Sequence, residues 1–288
     1  MATLTAFDSV KFKETTRAQW ESAAEAWNRW GSFIGRWLGQ ATEDMLDMAR
    51  IGRGARVLDV AAGAGEQTLA AAKRIGADGY VLATDISPTI LGYAARAARE
   101  AGLKQVHTRE LDGERHETLE EGDFDAAISR VGLIYFPDQQ RALKGIRRCL
   151  KPGARLAAMV YSTPEANPFF SIPVSIIRRR AKLPPPVAGQ PGPFSLGAEG
   201  ALAASFAAAG FEAIDVKAIS SPLHLKSAAE CVRFERESFG ALHQMMSSLS
   251  EAERLETWAE IESELRKFEG PGGFVGPCEM LVGAASKT

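Results

Sequence analysis

The run Val57-Leu58-Asp59-Val60-Ala61-Ala62-Gly63-Ala64-Gly65-Glu66-Gln67 is where this chain can do chemistry. A short β-like stretch, Arg56–Val60, gives way to a loop of small residues, and helical spacing of Leu69, Ala72 and Ile75 follows. Small residues at such a junction let a ligand approach the backbone closely. In an open parallel sheet, ligands sit beyond the carboxyl ends of the strands, where the strand order reverses. Asp85 stands 20 residues after Gly65, at the end of the next β-like run. A carboxylate at that offset suits the two hydroxyls of a ribose. The pattern points to a ligand that contains a nucleoside.

Two nucleoside cofactors compete for it. A dinucleotide such as NAD rests its pyrophosphate on the helix N-terminus, normally through G-x-G-x-x-G. Gly63 and Gly65 fit that pattern, but Thr68 stands at its third glycine. Asp59 and Glu66 would also place two carboxylates near a pyrophosphate. They suit a ligand with positive charge and no phosphate, and S-adenosyl-L-methionine, with its sulfonium and ammonium, is one. Glu66 also reads as a residue that favours the helix dipole. Asp59, a carboxylate in an apolar strand, requires a partner.

The elements that must position this loop alternate. Strand patterns at Arg56–Val60, Gly79–Thr84, Gln105–Leu111, Phe124–Ser129 and Ala154–Tyr161 are separated by helical ones, including one capped by Ser87-Pro88 and one at Asp138–Leu150. Later come an Ala-rich helix, Ala201–Ala209, a strand at Phe211–Ile219, helical pattern over Ser227–Phe268, and a last strand at Gly276–Ala285. This predicts an α/β fold, a doubly wound, mostly parallel sheet of seven strands with helical additions. The units are a helical N-terminal cap over 1–53, a Rossmann-like core over 54–161, a proline-rich insertion or lid over 162–196, and the rest of the core over 197–288 with a helical lid at about 227–268. In the cap, Thr16 and Gln19 fit a capping box, and Gly31 and Gly35 are expected to break or bend the helix. Trp20, Trp27, Trp30 and Trp37 fall on one helical stripe, which either packs a core or covers a ligand.

Composition narrows the function. In 288 residues, 34 Lys and Arg balance 36 Asp and Glu, so no basic field exists to hold nucleic acid. Arg178–Arg180 is a lone basic cluster. Cys149, Cys231 and Cys278 lie too far apart for a metal site or a disulfide framework. Met1–Thr16 is mixed and polar, and no run of about 18 apolar residues exists, so neither a leader nor a membrane span is expected. A cytoplasmic protein is the expectation; its oligomeric state is not readable.

The motifs, taken in order, resemble class I S-adenosylmethionine-dependent methyltransferases, close to the ubiquinone/menaquinone methyltransferase-like branch. VLDVAAGAG resembles that family's first motif, Asp85-Ile86-Ser87-Pro88 the acidic end of its second strand, and Leu111-Asp112-Gly113 its adenine-binding turn. Phe124-Asp125-Ala126 resembles its fourth strand, and Leu150-Lys151-Pro152-Gly153-Ala154-Arg155-Leu156 its LKPGGRL turn. The likeness covers about residues 54–161. Ala61 and Ala154 replace glycines of the family pattern, which leaves cofactor binding intact.

The resemblance implies roles. Ala61, Ala62 and Gly63 line the methionine part of the cofactor, Asp85 accepts from the ribose hydroxyls, and Ile86 packs on the adenine. Asp112 accepts from the adenine amino group, and the Gly113 amide donates to the adenine ring. Asp59, Gln67, Ser129 and Arg130 complete the cofactor site, with no metal. The activity implied is in-line methyl transfer to a small, apolar or aromatic acceptor in a closed pocket, built from the Trp helix, the Pro/Phe block and the 227–268 segment. The alternatives are an NAD-dependent oxidoreductase and a non-catalytic protein that only binds the nucleoside cofactor. No catalytic residue is fixed. His243, His224, Tyr135 and Tyr161 are candidates; His107 reads as structural and His116 as an exposed loop residue.

Overall fold

The computed structural model describes residues 7–120, 122–185 and 190–288. Pro186 and the first six residues, which belong to the proline-rich and leader expectations above, lie outside them. Helix α1 spans Ser9–Trp37 and α2 spans Gly39–Met48. The core follows as β1 (Arg56–Val60), α3 (Glu66–Ile75), β2 (Tyr80–Asp85), α4 (Pro88–Glu100), β3 (Val106–Glu110), β4 (Phe124–Arg130), α5 (Gln139–Cys149) and β5 (Leu150–Tyr161). Then come α6 (Pro168–Arg180), α7 (Ala201–Ala208), β6 (Glu212–Ser220), β7 (Leu223–Leu225), α8 (Ala228–Ser238), α9 (Gly240–Met245), α10 (Glu251–Leu265), β8 (Glu269–Gly270), β9 (Gly273–Gly276) and β10 (Glu279–Ser286).

Seven strands form the main sheet in the order β3-β2-β1-β4-β5-β10-β6. The first five run parallel, and β10 is antiparallel to both neighbours. This is the expected fold. The chain leaves β1 toward one edge and returns to β4 on its other side, so the order reverses between β1 and β4. That reversal opens a crevice at their carboxyl ends. A smaller antiparallel sheet, β7-β9-β8, was not foreseen, because strands of two to four residues carry no readable period.

Local chemistry sets the element ends. Gly76 terminates α3 at positive φ. Ser87 caps α4, its hydroxyl accepting from the Ile90 amide at 3.1 Å, with Pro88 in the first turn. Since Ser87 is fully buried, Ser87→Ala should cost about 1 kcal/mol, read as a lower urea midpoint at unchanged slope.

Three expectations change. Helix α1 begins at Ser9, before the Thr16 box, because the Asp8 carboxylate accepts from the amides of Val10 and Lys11. It also runs unbroken through Gly31 and Gly35. Close packing explains Gly31: a Cβ there would lie 2.5 Å from Glu66 Oε1 of α3. The proline-rich block contains α6, which starts at Pro168 and buries Phe169 and Phe170. Pro173 sits inside that helix and is itself buried. Helices α1, α2, α6, α8 and α10 share one continuous apolar core with the sheet.

Candidate functional site

A deep, mostly apolar cavity occupies the crevice. Its floor is the β1–α3 loop, Ala61–Ala64 with Glu66 and Gln67. Asp85 and Ile86 at the end of β2, and Leu111, Asp112 and Gly113 after β3, form one end. Arg130–Gly132 after β4, Tyr135 and Tyr161 form the other, roofed by Trp20, Trp27, Ile34 and Trp37 of α1 and by Phe239. All the proposed cofactor residues except Asp59 and Ser129 line this one cavity.

The loop takes its shape from strained and empty positions. Ala61 adopts a positive φ of 57°, and Gly132 packs against it so closely that a Cβ would fall 2.5 Å from the Ala61 methyl. Gly65 caps α3 at φ 98° and abuts Ala94, whose Cβ a side chain would meet at 2.8 Å. Any larger residue there would push α3 and α4 apart.

Asp85 is anchored by backbone amides. Its Oδ2 accepts from the Gly63 amide at 3.0 Å and its Oδ1 from the Ser87 amide at 3.0 Å. Burial raises its carboxyl above the usual range, against the pull of these amides. Glu21 of α1 sits nearby, hydrogen-bonded to Thr89.

Asp59 is placed differently from the expectation. It does not line the cavity; it turns into the first turn of α3, accepting from Thr68 Oγ1 at 2.5 Å and Gln67 Nε2 at 3.3 Å. The physical reason is that a buried carboxylate demands donors, and α3 supplies them. Asp59 thereby aims Gln67, whose Nε2 also donates to the Ala62 carbonyl at 3.0 Å. Ser129 lies beneath Gly132, buried, with its hydroxyl bonded to no group among the described residues. Desolvation pushes the Asp59 carboxyl from 3.8 up to about 6. The folded protein then binds more protons than the unfolded chain between about pH 4 and about pH 6, so Asp59 lowers stability as pH rises through that window. Asp59→Asn should flatten this part of the stability-against-pH curve. An unchanged slope in urea titrations would assign the proton elsewhere.

The Lys13 contact at the site was not foreseen, and the expected Glu66 and Arg130 pair with each other. Lys13 of α1 lies 2.7 Å from Asp112 Oδ2 and 2.8 Å from Glu114 Oε2 and closes the nucleoside end. Glu66 binds Arg130 at 3.2 Å, and Arg130 also reaches Thr42 Oγ1 at 3.4 Å. Nothing in the sequence could signal the first pair, which joins residues 99 positions apart. The Trp stripe divides: Trp20, Trp27 and Trp37 face the cavity, whereas Trp30 packs on Phe33 and Phe234.

The histidines move as well. His116 is fully buried, not exposed. Its Nδ1 donates to the Gly113 carbonyl at 2.9 Å, Nε2 lies 3.2 Å from Thr84 Oγ1, and burial lowers its pKa. It props the turn that carries Asp112 and Gly113. His107 stacks on Tyr80, as a structural residue would. Neither His224 nor His243 lines the cavity. His224 is exposed on β7, and His243 is exposed on α9 with Nε2 2.6 Å from the Arg236 carbonyl. Tyr135 and Tyr161 do line it, and neither phenol is hydrogen-bonded to another described residue.

The site fits S-adenosylmethionine. Asp85 and Asp112 place two carboxylates at one end, acceptors of the kind a diol and an amino group require. Among the described residues, Gln67 Oε1 is buried with no partner at the floor, and Gly63 leaves room for close backbone approach, since a Cβ would meet only Ile90 at 3.9 Å.

Comparison with known proteins agrees. Residues 36–176 match the model of the ubiE/COQ5 methyltransferase family. The chain is 32% identical over 120 residues to a ubiquinone/menaquinone biosynthesis C-methyltransferase UbiE of Idiomarina loihiensis, covering 41% of this chain and 47% of that protein. It is 34% identical over 134 residues to an uncharacterized protein of Mycobacterium tuberculosis, covering 46% of each. The chain thus spans about half the length of the curated relatives it matches. Among solved structures, YcgJ from Bacillus subtilis superposes with a TM-score of 0.56 at 19% identity, over 87% of this chain and 99% of that one. Haemonchus contortus phosphoethanolamine N-methyltransferase 2, bound to S-adenosylhomocysteine, gives 0.57 at 16% identity, over 98% of this chain and 60% of that one. At such identities these two speak for the fold alone. Over residues 36–176, just under half of the chain, the sequence is thus similar to the ubiE/COQ5 methyltransferase family, and the cavity described above lies against that segment.

Proposed function

We propose that this protein methylates a small, largely apolar or aromatic acceptor inside the cavity roofed by α1. The observation that carries this reading is continuity: one cavity runs from the nucleoside carboxylates, Asp85 and Asp112, to an aromatic end of Trp27, Trp37, Tyr135, Tyr161 and Phe239. When bound, S-adenosylmethionine supplies an electrophilic methyl group on a sulfonium. The chain's own residues bind, align and shield. Asp85 holds the ribose, Asp112 and the Gly113 amide hold the adenine, and the Ala61–Gly63 backbone, Gln67 and Arg130 hold the methionine end. The aromatic roof excludes water and fixes the acceptor in line, which is most of what such a reaction requires.

A small molecule suits this site better than a nucleic acid. Within the basic cluster, two of the three arginines are paired: Arg180 with Glu256 at 3.2 Å and with Glu260 at 2.6 Å, and Arg179 with Glu260. Among the described residues, no helix is long and apolar enough to cross a membrane.

Calorimetry tests the reading. The purified protein should bind S-adenosylhomocysteine at micromolar affinity and give no heat with NAD. Binding of NAD in place of S-adenosylhomocysteine would overturn it, since the carboxylates of the loop would then have been misread.

A further inference from the structure

The first part of α1 is held differently from the rest. From Ala23 onward the helix is anchored by buried residues, among them Trp30, Phe33, Ile34 and Trp37 of the main core. Between Ser9 and Ser22 no residue is fully buried. Polar contacts tie this segment to the chain just beyond β2 and β3. Lys13 Nζ donates to Asp112 Oδ2 at 2.7 Å and to Glu114 Oε2 at 2.8 Å, and Arg17 donates to Glu110 Oε1 at 2.5 Å. Glu21 accepts from the Thr89 hydroxyl and, at 3.4 Å, from its amide. The carboxylates facing Lys13 are fixed to the core. Asp112 Oδ1 accepts from the Glu114 amide at 2.9 Å, and Glu114 Oε1 from the Asp138 amide at 2.8 Å. The part free to move is therefore α1.

This contact stands on a boundary. An open groove lies beside the cavity, lined by Val10, Glu14, Arg17, Glu110, Arg115 and Thr118. Lys13, Ile86, Leu111 and Asp112 line both the groove and the cavity. These four side chains are the partition between the open groove and the nucleoside end, and two of them form a partly exposed ion pair. The opposite end is sealed by rings. Trp27 meets Phe239 at 6.1 Å and donates to the Ser238 carbonyl at 2.9 Å, Phe239 meets Phe234 at 5.4 Å, and Trp37 meets Phe169 at 5.5 Å.

We propose that the Lys13–Asp112 pair is the gate of the cofactor: S-adenosylmethionine enters and S-adenosylhomocysteine leaves by this groove, when the Ser9–Ser22 segment of α1 lifts from Asp112 and Glu114. The inference rests on the methyltransferase reading and adds the route of exchange and what controls it. Partly exposed ion pairs contribute little to stability and are weakened by salt, which suits a contact that must open and close. The lifted segment has little helical stability of its own, since isolated helices shorter than about 12–15 residues are marginal in water. Opening thus unwinds it from its free end and leaves the buried part of α1 in place.

The test mixes the full chain with S-adenosylhomocysteine in a stopped-flow instrument and follows tryptophan fluorescence, since Trp20, Trp27 and Trp37 line the cavity. Lys13→Met keeps the aliphatic stem and removes the charge. Association and dissociation should both quicken by about tenfold, with the equilibrium affinity within about threefold of wild type, because a gate speeds passage both ways. Lys13→Arg keeps the charge and should stay within about threefold of wild type in both rates. Wild-type rates should also rise together, by about threefold or more, between about 0.1 M and about 1 M sodium chloride, and those of Lys13→Met should rise less. Arg29→Met breaks an ion pair of the same helix outside the cavity and should leave both rates unchanged. Unchanged rates in Lys13→Met, or wild-type rates indifferent to salt, would overturn the inference. So would faster dissociation at unchanged association, the mark of a simple contact with the cofactor. Failure of the wild type to bind S-adenosylhomocysteine is a different result and strikes the methyltransferase reading itself.

Discussion

Replacing Asp85 with Ala should weaken S-adenosylhomocysteine binding by about 100-fold or more. Two effects add. The ribose loses a buried carboxylate, and hydrogen bonds to a charged group contribute about 1.5–3 kcal/mol each. The loop also loses its anchor, because the Gly63 and Ser87 amides both donate to this carboxylate at 3.0 Å. Asp85→Asn separates the two. Its side-chain oxygen still accepts from one amide, so the loop is partly retained, while acceptance from both hydroxyls is lost. The expected order of affinity is wild type, then Asp85→Asn, then Asp85→Ala, measured by calorimetry at one ionic strength. Equal binding by all three would move the ribose away from β2 and undo the placement of the cofactor.

The second large effect is on stability. Trp37→Ala should destabilise the protein by about 3–5 kcal/mol, a substantial part of the 5–15 kcal/mol typical of folded domains. Trp37 closes the end of α1 against the sheet and the later helices. Its ring meets Phe33 at 6.0 Å, Phe169 at 5.5 Å and Phe234 at 6.0 Å, and its Nε1 donates to the buried Ser221 carbonyl at 2.8 Å. Alanine would leave a void among rings that cannot collapse together, and an unsatisfied carbonyl besides. Trp37→Phe keeps most of the volume and loses the hydrogen bond, so it should cost about 1–3 kcal/mol. Urea unfolding at constant slope is the measurement. A loss below about 1 kcal/mol in Trp37→Ala would mean that α1 docks loosely and that the aromatic roof is not part of the cooperative core.

The sequence by itself determined the elements and the cofactor crevice. Each of those signals is local. Arg56–Val60 is a strand, Glu66–Ile75 is a helix and Ser87-Pro88 starts the next one, within a residue of where periodicity and capping put them. The small-residue loop and Asp85 follow from the same short windows, and most of the residues expected at the cofactor therefore line one cavity. Tertiary structure decided which side chains meet. Asp59 had two possible errands, a ligand or a partner, and only the packing of α3 on β1 assigned it Thr68 and Gln67. His116 sits among charged residues in sequence, yet the fold closes α5 and β2 around it. The Trp stripe gave a face but not its neighbour, and the neighbour proved to be the cavity for three rings and α8 for the fourth. Lys13 reaching Asp112 joins residues with no shared period and no fixed spacing. Local backbone preference is written in adjacent residues; the environment of a side chain is set by whatever the rest of the chain folds against it.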